Sequence, residues 1–184
     1  MANIKKNSRK KTKGGILKRF YPDFAYNKVE DIPYELLKEN NIQLVMLDMD
    51  NTLVDHNYKC TEQLKKWAFE IEEKGIELYI LTNCPMTKRV EKISKDLGMK
   101  YYHRANKPFL KGYRRVLEIS GVPIENVAMV GDQMFTDIWG GNRIGLTTIL
   151  VNPIQKKEWI LTKIKRPIER KILNSYLKKQ EGEK

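Results

Sequence analysis

The stretch that decides the fold is LVMLDMDNTLV, residues 44–54. Its first four residues form an apolar run short enough for a buried strand, and the run ends at Asp48 and Asp50. Both aspartates lie where the predicted strand is ending, so both side chains can point into one crevice. Two carboxylates this close repel each other unless a cation lies between them or one of them holds a proton. The pair is therefore expected to have a catalytic or metal-binding role, because it does not stabilise the fold.

The size and charge of the chain limit the classes of protein it can be. Its 184 residues fit one domain with tails, and its formal net charge is +12. No apolar run approaches the roughly 20 residues of a membrane-spanning helix. The basic N-terminus lacks the apolar stretch of a secretory signal, so we expect a cytoplasmic protein. The charge favours anionic partners, whether nucleic acid, acidic lipid headgroups or phosphorylated metabolites, and does not choose among them.

The cysteines and histidines do not predict a metal or disulfide framework. Cys60 and Cys84 are the only cysteines, and without an export signal we interpret them as reduced thiols. Neither has a companion at zinc-ligand spacing, and His56 and His103 are isolated. A zinc site is therefore not expected.

Strand and helix patterns alternate through the middle of the chain. Strands are predicted at Gln43–Asp48, Glu77–Thr82, Lys100–His103, Asn126–Gly131 and Thr147–Val151. Helices are predicted at Thr61–Lys74, Met86–Leu97, Pro108–Ser120 and Gln133–Asn142, with Pro108 as a first helical residue. Alternation with nearly continuous apolar strands indicates an α/β fold, a five-stranded parallel sheet with helices on both faces.

Three segments are predicted along the chain. Residues 1–20 form a basic, flexible tail, and residues 21–153 form the folded domain with a lead-in helix over 21–40. Residues 154–184 form a basic, amphipathic helical extension. Two interpretations of this extension stay open: it lies on an anionic membrane, or it packs its apolar stripe on the domain or on a partner subunit.

Polar residues follow four of the predicted strands. The first strand ends in Asp48 and Asp50 and the second in Thr82–Asn83; Lys107 follows the third, and Asp132 with Asp137 follows the fourth. Ligands of parallel α/β sheets bind beyond the carboxyl ends of the strands, so these four segments meet at one rim. Arg104 or Lys111 could fill the place of Lys107, since the chain is rich in cations.

These residues resemble a known set. DMDNT resembles the DxDxT signature of the haloacid dehalogenase (HAD) superfamily, ILTN its second motif, Lys107 its third and VGDQMFTD its fourth. The wider chain resembles the YqeG-type branch of subclass IIIA phosphatases, which is similar to phosphatidylglycerophosphate phosphatases. The resemblance implies a three-layer α/β/α Rossmann-like fold.

The resemblance also implies a phosphatase that uses Mg²⁺. Asp48 would attack phosphorus to form an aspartyl-phosphate, and Asp50 would act as general acid and then general base. Asp48, the backbone carbonyl of Asp50, and Asp132 would hold Mg²⁺.

The remaining motif residues would bind the phosphoryl group or support the site. Thr82 and Asn83 would contact its oxygens, and Lys107 would hold its other side as a point charge. Asp137 would orient a metal-bound water or Lys107, and Thr52 would fix the turn.

The spacing of the motifs leaves no room for a cap domain. Only 33 residues separate Asp48 from Thr82, which one loop and one helix use up. An open site fits a substrate whose bulk stays outside, and the branch resemblance favours a phospholipid, phosphatidylglycerophosphate. The basic tails could then contact the inner face of the membrane.

Two other classes of function stay open. The charge also suits a phosphatase of nucleic-acid ends or a non-catalytic protein that binds nucleic acid or the ribosome. A signalling domain phosphorylated on aspartate is disfavoured by Asp50, because rapid hydrolysis destroys a stored signal. Oligomerisation is compatible with the sequence.

Overall fold

The computed structural model describes residues 16–55 and 57–155, and in that part six parallel strands form one sheet. The strands are β1 (Phe24–Tyr26), β2 (Leu44–Leu47), β3 (Glu77–Leu81), β4 (Lys100–Tyr102), β5 (Val127–Gly131) and β6 (Thr147–Val151). Their order is β1-β6-β5-β2-β3-β4. The α-helices are α1 (Tyr34–Glu39), α2 (Glu62–Glu73), α3 (Thr87–Leu97), α4 (Leu110–Ser120) and α5 (Trp139–Ile144). This confirms the Rossmann-like α/β fold.

Helices cover both faces of the sheet because its central strands are apolar on both sides. Alternate residues of a strand point to opposite faces. Val45 and Leu47 belong to the cluster that includes apolar residues of α2 and α3, whereas Leu44 and Met46 belong to the cluster of α4. The helix α5 lies close to the sheet, since a Cβ at Gly141 would come within 2.8 Å of the Thr148 methyl group. The result is a three-layer structure with β2 at its centre.

The structure corrects the predicted number of strands from five to six. The additional strand β1 lies at the edge of the sheet and pairs in parallel with β6. The Asp23 amide donates to Thr148 O at 2.9 Å, and the Thr148 amide donates to the Asp23 carboxylate at the same distance. The lead-in helix predicted over 21–40 is correspondingly shorter, because only Tyr34–Glu39 is α-helical in that segment.

Two helix boundaries also differ from the prediction. The helix α4 begins at Leu110, so Pro108 is not its first residue, and the Lys107–Pro108 peptide is cis. The helix predicted over Gln133–Asn142 is divided into a π-helical turn, Met134–Ile138, followed by α5.

The folded body extends upstream of residue 21. Ile16–Phe20 forms a 3₁₀ turn, and the Phe20 ring stacks on Trp139 at 5.5 Å and meets Phe135 edge-on at 5.2 Å. Residues 1–15 and 156–184 lie outside the described residues, and with them most of both predicted tails. In the described part, none of the helices has the length and apolar character to cross a bilayer.

Candidate active site

The end of β2 delivers Asp48 to the carboxyl edge of the sheet. The Asp48 amide continues the ladder with a hydrogen bond to Val130 O of β5 at 2.9 Å, so its backbone is fixed between the central strands. The chain then turns sharply: the Leu53 and Val54 amides both donate to Met49 O, and Asn51 has a positive φ of 69°. This turn holds Asp50 next to Asp48, with Asp48 buried and Asp50 half-buried.

A buried lysine joins Asp48 to the segment that follows β5. The Lys107 Nζ lies 2.7 Å from Asp48 Oδ1 and 2.7 Å from Asp137 Oδ1. The Lys107 side chain is 2% exposed and that of Asp137 is 0% exposed. The carboxylates raise the pKa of Lys107 against the opposing effect of its burial, so the lysine stays charged. Asp137 is thus ion-paired with Lys107 inside the site.

The backbone of Lys107 is held by Asn83 at the end of β3. The Asn83 side-chain amide donates to Lys107 O at 3.0 Å, and its oxygen accepts from the Lys107 amide at 2.6 Å. Both polar atoms of this side chain are thus engaged in positioning the lysine. The buried Thr82 hydroxyl accepts from the Cys84 amide at 3.0 Å, so its own proton remains available to donate.

The segment after β5 brings Asp132 and Asp137 to the same place. The Thr52 hydroxyl donates to Asp132 Oδ1 at 3.2 Å, a bond across the site that the sequence did not indicate. Asp137 Oδ2 accepts from the Gln133 amide at 3.1 Å. A Cβ at Gly131 would overlap the Asp137 carboxylate, so the glycine makes room for Asp137 beneath the strand end.

The carboxylates outnumber the buried cation. Burial and then the charges of Asp48 and Asp137 raise the pKa of Asp132 well above its usual value. Burial also raises the pKa of Asp137 to about 6 in spite of Lys107, and burial with Asp48 raises that of Asp50. The site therefore has an excess of negative charge that a divalent cation would relieve.

The donor set fits such a cation. One carboxylate oxygen from each of Asp48, Asp132 and Asp137 lies within 4.8 Å of the others. Oxygen ligands of this kind are those that Mg²⁺ prefers. Because Lys107 contacts Asp48 through Oδ1, the second oxygen of Asp48 remains for other contacts. Asp48 and Asp132 could thus share an ion without displacing the lysine.

Two further residues near the site escaped the sequence analysis. The Arg89 guanidinium lies 3.7 Å from the centroid of the Tyr58 ring, and its charge partly offsets the rise that burial and Asp48 cause in the pKa of Asp50. The Asn51 side chain donates to Gln155 O at 3.1 Å and accepts from the Gln155 amide at 2.8 Å. Arg89 is one of many cations in the sequence, and the partner of Asn51 lies 104 positions away. No local pattern could have revealed either role.

The fold and the site together define a HAD-type phosphatase, and comparisons with known proteins agree. Residues 104–167 match the family model described as HAD-hydrolase-like. The probable phosphatase YqeG of Bacillus subtilis (strain 168) is 36% identical over 166 residues, 89% of this chain and 96% of that protein. The chain thus belongs to the YqeG-type family of HAD phosphatases.

Two more distant similarities complete the comparison. The phosphatidylglycerophosphate phosphatase 1, chloroplastic/mitochondrial, of Arabidopsis thaliana is 26% identical over 170 residues; these are 86% of this chain and about half (48%) of that protein. A crystal structure of an uncharacterized protein from Listeria monocytogenes serotype 4b superposes with a TM-score of 0.52 at 19% identity, covering 64% of this chain and 85% of that one. The latter likeness supports the fold.

Proposed function

We propose that the chain is a magnesium-dependent phosphomonoesterase that works through an aspartyl-phosphate on Asp48 and acts on phosphatidylglycerophosphate, releasing phosphatidylglycerol. The observation that carries the chemistry is the nucleophile position of Asp48: a buried carboxylate at a strand end, held at one oxygen by Lys107 and placed beside Asp50 and Asp132.

In the first step, a carboxylate oxygen of Asp48 bonds to phosphorus while the bond from phosphorus to the substrate oxygen breaks. Asp50 gives its proton to the departing alkoxide, and its raised pKa favours the protonated form this requires. In the second step, water attacks the phosphorus, Asp50 takes the water's proton, and the Asp48 carboxylate is released with inorganic phosphate. Covalent catalysis thereby divides one difficult displacement into two easier ones.

The other residues stabilise the transferring group. Lys107 supplies a fixed positive charge, with Asp137 setting its direction and Asn83 its backbone. The Thr82 hydroxyl donates to a phosphoryl oxygen. Asp48, Asp132 and the Asp50 backbone carbonyl would hold Mg²⁺, which would neutralise charge on the phosphoryl oxygens.

The lipid assignment rests on two supports of a different kind. The plant relative, of which about half (48%) aligns with this chain, is named a phosphatidylglycerophosphate phosphatase. In addition, the described segments between β2 and β4 hold α2 and α3 and no further domain that could close over the site. A substrate with a large part outside the site can therefore reach Asp48.

The test is phosphate release from a substrate panel in the presence of Mg²⁺. The panel holds phosphatidylglycerophosphate vesicles, sugar phosphates, a phosphopeptide and an oligonucleotide with a terminal phosphate. We expect the vesicles to be the preferred substrate, Asp48→Asn to be inactive and the exposed Asp96→Asn to keep full activity. Wild-type activity in Asp48→Asn would refute the chemistry. Turnover of soluble phosphates with untouched vesicles would refute the lipid assignment.

A further inference from the structure

Exposed apolar side chains are concentrated at the edge of the sheet that carries the site. Five large hydrophobic side chains of the described residues are exposed: Phe69, Met86, Phe109, Ile119 and Ile154. Met86, Phe109 and Ile154 follow β3, β4 and β6 respectively, beyond the carboxyl ends of parallel strands. Phe69 lies within α2, and Ile119 lies in the last turn of α4. Three of the five exposed apolar side chains thus follow strands at the edge of the sheet where the site lies, as expected for a contact surface.

The loops that carry Met86 and Phe109 are joined to each other and to the nucleophile. The Arg104 amide donates to Cys84 O at 3.4 Å, and its guanidinium donates to Pro85 O at 3.5 Å. Asn83 binds the Lys107 backbone on both sides, and Lys107 contacts Asp48. We call residues 83–89 and 104–111 the active-site rim. Its apolar residues are thus held beside the catalytic carboxylates.

All charged residues of the rim are cations. Residues 82–90 and 103–115 contain no aspartate or glutamate, and Lys88, Arg104 and Lys111 are exposed. The first turns of α3 and α4 contain no acid, whereas those of α1 and α2 do. Helix N-termini are stabilised by acids and destabilised by cations. The cations at these two N-termini therefore do not stabilise the helices, and we expect their role in what the surface binds.

We propose that the active-site rim docks the protein on an anionic lipid bilayer, with Met86 and Phe109 entering the interface and Lys88, Arg104 and Lys111 contacting the headgroups. Apolar side chains flanked by cations are the combination that binds anionic membrane surfaces. A nucleic acid could contact the cations and stack a base on Phe109, but Met86 has no ring for such stacking, whereas a bilayer accommodates both side chains. Docking in this orientation rests on the proposed function, because it presents the site to a lipid phosphate.

The test is binding of the full chain to vesicles that contain no phosphomonoester, made of phosphatidylglycerol and phosphatidylcholine. The rim variant is Met86→Ser with Phe109→Ser. The matched control is Ile119→Ser with Phe69→Ser, since the exposures pair closely at 47% and 49% and at 62% and 66%. We expect the rim variant to bind vesicles at least about tenfold more weakly than the wild type, and the control to bind like the wild type. The reason is that moving a Phe or Met side chain from water into an apolar environment is strongly favourable. Thermal unfolding verifies that each variant is folded.

The outcomes separate this inference from the proposed function. Equal vesicle binding by the rim variant and the control would overturn the docking surface, whatever the enzyme hydrolyses. If the rim variant lost binding to a single-stranded oligonucleotide but kept vesicle binding, the rim would be assigned to nucleic acid, and the proposed membrane-docking surface would equally be overturned. Inactive enzyme whose rim variant loses vesicle binding would leave the docking surface standing and refute the phosphatase activity alone.

Discussion

Replacing Lys107 with methionine should destabilise the protein strongly. The lysine is 2% exposed and lies 2.7 Å from two carboxylates, so its loss leaves Asp48 and Asp137 buried without their cation. Removing one partner of a buried ion pair costs about 3–5 kcal/mol. For a domain of this size that corresponds to a fall of roughly 6–20 °C in the unfolding midpoint. Urea unfolding in EDTA at about pH 7.5 measures the loss without a bound metal.

The exposed pair of Lys100 with Glu77 supplies the matched control. Its N–O distance of 2.8 Å is nearly the same, but the lysine side chain is 67% exposed. Such surface pairs contribute about 0–1 kcal/mol. Lys100→Met should therefore change the free energy of unfolding by less than about 1 kcal/mol. The contrast between the two variants isolates the effect of burial from that of distance.

The deficit of Lys107→Met should also shrink as the pH falls. Burial raises the pKa of Asp137 to about 6 in the wild type, and removing the lysine raises it further. The folded state then binds a proton at a pH where the unfolded aspartate does not, so its stability increases as the pH falls through that range. We expect a smaller deficit at about pH 5 than at about pH 7.5. A deficit below about 1 kcal/mol, or one equal at both pH values, would refute the reasoning.

Three further predictions concern the metal, the catalytic turn and a thiol. Millimolar Mg²⁺ should raise the unfolding midpoint of the wild type, and Asp132→Asn should lose most of that rise; an equal rise in both would exclude Asp132 as a ligand. Asn51→Ala removes both hydrogen bonds to the Gln155 backbone, so it should lower the free energy of unfolding by about 1–3 kcal/mol and slow turnover. The control Asn152→Ala, which removes an exposed side-chain hydrogen bond, should change neither quantity. Burial raises the pKa of Cys60 from 9.0 to about 11. Its alkylation at about pH 8 should be about tenfold slower in the native protein than in urea, because the smaller thiolate fraction is partly offset by the higher nucleophilicity of a less acidic thiol; equal rates would contradict that shift.

The central strands were predictable because their signal is local. Apolar runs that end in polar residues gave β2 to β6 to within about a residue, and Thr147–Val151 agrees at both ends. The strand β1 has three residues and no such run; it forms by pairing with β6, and the Asp23–Thr148 bond that flanks it spans 125 positions. The predicted start of α4 failed at Pro108 because proline suits a loop as well as a first turn.

The sequence predicted which residues meet at the strand ends, but not how these residues contact one another. Parallel topology alone brings the strand-end residues together, whichever loops follow. The sequence left Lys107, Arg104 and Lys111 as rival cations; the structure buries Lys107 and leaves the other two exposed. The use of the Asn83 side chain to hold Lys107 depends on two loops meeting in space, 24 positions apart. Such contacts have no periodic signature.

The most direct test of the account is to identify the phosphorylated residue. Enzyme turning over a substrate with a radiolabelled phosphoryl group is quenched in acid, digested and analysed by peptide. The account predicts an acid-stable label on the peptide that contains Asp48 and loss of that label in Asp48→Asn. A label on a residue other than Asp48 would contradict the account. Product formation by Asp48→Asn at the wild-type rate would contradict it equally.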